Sequence, residues 1–156
     1  MKRLARAGQN AAALLLAWAV APAWAVLGGD LASVQIEQTR MRASRASGAA
    51  ASGVSVHELR LPDGSSIRQF TDAQGIVFAL AWRTRMKPDF AQWLGRYAAD
   101  FDAAVAAQPR QPGLHRGVAV EQGDLVLQSG GRPGAFVGAA WLKSRMPTGM
   151  GADAIR

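Results

Sequence analysis

No cysteine occurs among the 156 residues. That excludes a disulfide framework, a thiolate zinc site, an iron–sulfur cluster and a cysteine nucleophile. Histidine is scarce, with only His57 and His115. No HxH, HxxxH or HExxH spacing brings them to one metal, so no metal and no cofactor is expected. There is no G-x-x-x-x-G-K-[ST] phosphate loop. Gly130, Gly131 and Gly134 precede a strand pattern rather than a helix, which is not a dinucleotide fingerprint. No G-x-S-x-G elbow is present, and Ser129 before the glycine pair reads as a turn residue rather than a nucleophile. Asp100 and Asp102 lie two apart on a helical pattern, so they point about 200° apart and cannot share a site. No repeat with a period of 20–50 residues appears.

What is present is a basic, moderately apolar chain. It carries 18 Lys+Arg against 11 Asp+Glu, a formal charge of +7. The hydrophobic fraction is 49%, with five Trp and five Phe, which argues for a packed core. The length suits one domain.

The N-terminus carries an export pattern. Lys2, Arg3 and Arg6 form a positive region, residues 11–20 are apolar, and Pro22 precedes Ala23-Trp24-Ala25. This arrangement predicts a signal peptide over 1–25, cleaved near Ala25, and a periplasmic or secreted destination. Residues 11–27 are short for a membrane span and contain Pro22, so no transmembrane segment is expected after cleavage. No cysteine follows for lipid attachment, and no adjacent arginine pair signals the twin-arginine route. Beyond residue 25 the balance falls to 15 cations against 11 acids, and 13 of those cations are Arg. The remaining +4 is spread out, which weakens any case for nucleic acid.

The rest of the chain reads as three parts. Residues 26–53 hold a weak helix near 31–45 and an Ala/Ser/Gly linker near 44–55. Residues 54–142 form the core domain, and 143–156 an irregular tail. Strands are expected at 54–61, 66–71 and 76–82, joined by Pro62-Asp63-Gly64 and the 72–75 turn. The third is apolar throughout, as a central strand covered on both faces would be. Pro88 and Asp89 open a helix. Phe90, Trp93, Leu94, Tyr97, Phe101, Ala104 and Val105 recur on one face, ending near Ala107. Further strands are expected at 117–121, 125–129 and 135–142, with 129–134 as a turn. The fold class is therefore α+β. An antiparallel sheet of about six strands, in two three-strand meanders, packs on one long amphipathic helix, with a weaker N-terminal helix beside it.

Three functional readings follow. The first is a non-enzymatic module binding an envelope protein or polymer. The second is a small hydrolase or ligand-modifying enzyme using His57 with a carboxylate, Glu58 or Asp63. The third is an anionic-surface binder. Arg83, Arg85 and Lys87 stand next to Trp82 with no acid among them, and Arg132 is a weaker companion. The aromatic residues Trp82, Phe90, Trp93, Tyr97 and Phe101 read as core rather than as a binding platform.

Several short patterns, in order, resemble a known family. They are Ser33-Val34-Gln35 with Met41, Val56-His57-Glu58, Gly75-Ile76-Val77-Phe78-Ala79 with Trp82, and Pro88-Asp89-Phe90 with Leu94-Gly95-Arg96-Tyr97. Ser129-Gly130-Gly131, Ala135-Phe136 with Gly138, and Pro147 with Ala152-Asp153 and Ile155 complete the set. Together they are similar to DUF2844, a family of uncharacterised exported proteobacterial proteins. The resemblance implies export and a small domain, and it carries over no activity and no catalytic residue. The chain departs from the pattern at Arg132-Pro133-Gly134, where a His-Met-Arg-like run is expected, and at Ala154, where an acid is expected.

Overall fold

The computed structural model describes residues 27–30, 44–50, 53–108 and 117–155. The export segment, residues 31–43 of the expected N-terminal helix and His115 lie outside these residues, and the last two residues expected in that helix, 44–45, are extended instead.

Seven strands form one antiparallel sheet. In chain order they are β1 (Ser44–Ala50), β2 (Val54–Arg60), β3 (Ser66–Thr71), β4 (Val77–Thr84), β5 (Gly117–Gln122), β6 (Leu125–Arg132) and β7 (Ala135–Leu142). The order across the sheet is β1-β2-β3-β4-β7-β6-β5, so the two meanders join through β4 and β7. Both are as the sequence suggests, with one strand added. The stretch expected as a linker supplies β1, which pairs with β2 from Ser44↔Arg60 to Ala50↔Val54. Its Ala/Ser/Gly composition shows no apolar alternation. Ladder hydrogen bonds to β2 come from the backbone, so an edge strand forms without it.

The helical segment follows β4. Helix α1 (Phe90–Leu94) is capped by Asp89, whose side chain accepts from the Gln92 N–H at 3.3 Å. Pro88 therefore precedes the cap instead of lying in the first turn. A 3₁₀ turn, Gly95–Tyr97, leads into α2 (Ala98–Ala107). Gly95 sits at φ +51°, a left-handed conformation that favours glycine.

The two faces of the sheet are covered by different means. On the helix side, Leu59, Ile67, Leu80, Trp82, Leu127 and Leu142 form a buried cluster with Phe90 and Leu94. Trp93, Tyr97 and Phe101 pack half-buried against it. Trp82 stands 5.6 Å from both Phe90 and Trp93, centroid to centroid. The expected core role of these aromatics is what the structure shows. Val105 is the exception: it is 38% exposed, because α2 passes over the β5 edge rather than the sheet centre.

The opposite face, the back face, holds Val54, Phe70, Phe78, Ala79, Val126 and Trp141. Residues 143–155 cross it as a strap with two 3₁₀ turns, Lys143–Arg145 and Ala152–Ala154. Ile155 is fully buried there. Ser144 donates to Asp124 from N and Oγ, both at 2.7 Å, and Arg145 meets Asp72 at 2.8 Å. The tail is irregular but firmly docked. The apolar β4 is thus central and covered on both sides, as its sequence suggests.

Candidate functional site

Side chains alternate between faces along each strand, so the strand registers place the back-face residues in rows. One row runs Val56, Phe70, Ala79, Trp141 and Val126, and it belongs to the buried strap-side cluster. The next runs Glu58, Arg68, Ala81, Ala139, Gln128 and Ala119. A third runs Arg60, Ser66, Arg83, Val137, Gly130 and Gly117.

A groove of about 800 Å³ lies over these last two rows. It crosses six strands, from Glu58 on β2 to Gly117 and Ala119 on β5. Its floor is shallow because Ala81, Ala139, Gly117 and Gly130 carry little or no side chain. Arg68, Arg83, Ser66 and Gln128 supply its polar groups. Such a volume is in the range of small-molecule sites, about 300–1,000 Å³.

The charges gather at one end. Arg68 and Arg83 are diagonal neighbours on β3 and β4, since Arg68 pairs with Ala81 and Ser66 with Arg83. Arg83 is exposed, and its side chain makes no hydrogen bond or ion pair among the described residues. Arg68 lies 5.9 Å from the Phe70 ring centroid and donates to the Ile155 carbonyl at 3.4 Å. Glu58 stands opposite Arg68, but its Oε1 is bonded to Arg60 Nε at 2.9 Å. That pairing holds the Arg60 guanidinium above its ordinary value, by the hydrogen bond first and by charge attraction second.

The residues singled out from sequence divide between locations. Arg83 lies in the groove because β4 runs on to Thr84. Trp82 is also among the lining residues, although its indole packs in the helix-side core. The indole Nε1 is buried without a hydrogen-bond partner among the described residues. Arg85 and Lys87 lie past the end of β4, both exposed. Arg132 ends β6, and the Gly134 N–H donates to the Arg85 carbonyl at 2.9 Å, which brings that turn beside Arg85. The turn expected over 129–134 is really two residues, Pro133-Gly134. Ser129 and Gly130 are strand residues, which is why Gly130 can floor the groove.

The carboxylates paired with His57 in the enzyme reading do not converge on it. His57 is buried, 3.4 Å from Thr71 Oγ1, and its strand partner across the sheet is Gln69. Glu58 is the next residue, so it points to the other face and is held by Arg60. Asp63 accepts from Ser65 N and Ser65 Oγ, both at 2.8 Å. Those bonds, with Arg85 nearby, hold the Asp63 carboxyl below the usual carboxylate range. Among the described residues no cluster of three or more His, Cys, Asp or Glu could hold a metal. No described helix is long and apolar enough to cross a membrane.

Sequence reasoning missed Arg68, Ser66, Gln128 and the glycine and alanine floor. They are separated in sequence and meet only through register. The one local signal is the i, i+2 spacing of Ser66 and Arg68, which marks a polar face on β3.

A family model described as a protein of unknown function, DUF2844, matches residues 23–155. No curated protein and no solved structure matches the chain.

Proposed function

Since the chain belongs to the DUF2844 family, whose description assigns no activity, we propose from the geometry that it is a non-enzymatic binding module whose ligand lies in the back-face groove. The observation that carries this is the groove itself. It joins a small-residue floor to a cationic end, and it is left open where the strap stops covering the sheet. The hydrolase reading lacks support, because neither Glu58 nor Asp63 is placed beside His57. Export to the envelope is part of the proposal, and it is supported by the N-terminal pattern of charge, apolar run and small residues.

The test is native mass spectrometry of the full-length gene product recovered from an envelope fraction, with sequencing of its N-terminus. The expected result is a chain beginning at Val26 with a bound small molecule that is lost in Ala119→Trp. A chain still beginning at Met1 and recovered from cytosol overturns the export reading. A chain free of ligand under every growth condition overturns the binding reading.

The anionic-surface reading has one observation in its favour. Arg85, Lys87 and Arg132 are all exposed, and the β6–β7 turn is tied to Arg85. It predicts salt-sensitive retention on anionic vesicles that is lost when Arg85, Lys87 and Arg132 become Gln.

A further inference from the structure

Resting on the groove as the binding site, we infer that its ligand is an elongated amphiphile with a carboxylate head and an aliphatic body. The head lies at Arg68 and Arg83, and the body runs across the strands toward Gly117 and Ala119.

The head follows from charge. Two guanidinium groups face the groove as diagonal neighbours on β3 and β4. The one carboxylate that lines it among the described residues, Glu58, is already bonded to Arg60. Arg83 has no ionic partner among the described residues, and Arg68 has a long bond to a carbonyl and the Phe70 ring beside it but no ionic partner there either. Planar guanidinium forks match a carboxylate in geometry and charge.

The body follows from the floor. Ala81, Ala139 and Ala119 present methyl groups, and Gly130 and Gly117 present backbone. Among the described residues no aromatic ring faces the groove. The Trp82 ring is on the other face, and Phe70 and Trp141 sit in the row under the strap. A sugar or a base would ordinarily stack on such a ring. An aliphatic chain needs only apolar surface removed from water.

The shape follows from strand spacing. From β3 to β5 the groove crosses four inter-strand gaps, about 19 Å at ~4.8 Å each. Its width is set by two residues along a strand, about 7 Å. That is a slot for one extended chain with its head at the cationic end.

The experiment is isothermal titration of the protein with decanoate below its micelle threshold, beside decyltrimethylammonium and a glucuronate oligosaccharide. Decanoate is expected to bind and the other two are not. Arg83→Gln and Arg68→Gln should each weaken it about tenfold or more, and Ala119→Trp should weaken it by blocking the far end. Thermal melts of each variant establish folding, and octanoate should bind several-fold more weakly than decanoate. Binding of the oligosaccharide but not of decanoate overturns the ligand class and leaves the groove reading standing. Equal binding of decyltrimethylammonium overturns the role of the arginines. Decanoate binding unchanged in all three folded variants places the site elsewhere and overturns the inference. No binding by any probe overturns it too, while a ligand found by native mass spectrometry would still uphold the groove.

Discussion

Arg68 donates to the carbonyl oxygen of Ile155 at 3.4 Å, across 87 positions of sequence. One end of that contact lines the groove, and the other is the buried end of the C-terminal strap. The strap therefore does two things. It covers the apolar row from Val56 to Val126, and it leaves the next two rows open as the groove.

Removing the strap's anchor should destabilise the whole sheet. Ile155 is fully buried in the cluster with Phe70, Ala79 and Trp141. Ile155→Ala should cost about 2–5 kcal/mol in urea unfolding, from lost transfer energy and the cavity left behind. A loss below about 0.5 kcal/mol would show that the strap is not docked as described.

Gly138 should not tolerate a side chain. A Cβ there would lie 2.5 Å from Trp82 Cζ2 and closer still to the Gln128 carbonyl oxygen. The indole has Phe90 and Trp93 behind it, and the carbonyl belongs to the neighbouring strand, so neither yields easily. Gly138→Ala should cost about 1–3 kcal/mol, with a changed tryptophan emission spectrum. Wild-type stability and emission would contradict this packing.

Asp63 should titrate below an ordinary aspartate. The Ser65 N–H and hydroxyl bonds lower it first, and Arg85 adds to the same effect. A lowered folded pKa contributes stability above the unfolded carboxylate value. That stability is lost as pH falls through the folded value. Carboxyl NMR should show the midpoint rising part of the way toward ordinary in Ser65→Ala, which removes the hydroxyl bond and keeps the larger bond from the backbone N–H. An unmoved midpoint would show that the hydroxyl bond contributes nothing to the shift.

The helix cap gives a smaller effect. Asp89→Ala removes the acceptor for the Gln92 N–H and should cost about 1 kcal/mol in unfolding. Asp89→Asn, which keeps an acceptor, should recover most of it. No difference between the two variants would mean the cap contributes nothing.

How much of this could be read from sequence differs by level. The antiparallel meanders were legible because Pro62-Asp63-Gly64 and Asp72 to Gly75 mark turns, and because β4 is apolar throughout. The aromatic face of the helix was legible from its spacing. β1 was not, since an edge strand of Ala, Ser and Gly carries no pattern of its own. The groove was least legible. Arg68 and Arg83 become neighbours only once the β3–β4 register is known. Ala81, Ala139 and Ala119 are ordinary alanines until three pairings align them. Arg83, found as part of a basic run, is in the site for a different reason: it is the last outward residue of β4.

Amide NMR of the isotopically labelled protein titrated with decanoate tests the central claim most directly. Occupancy of the groove predicts shifts concentrated at residues 66–68, 81–83, 117–119, 128–130 and 137–139. Residues 98–107 of α2 should stay in place. Shifts confined to residues 85–87 and 132–134, or spread evenly over the helix side, would contradict it.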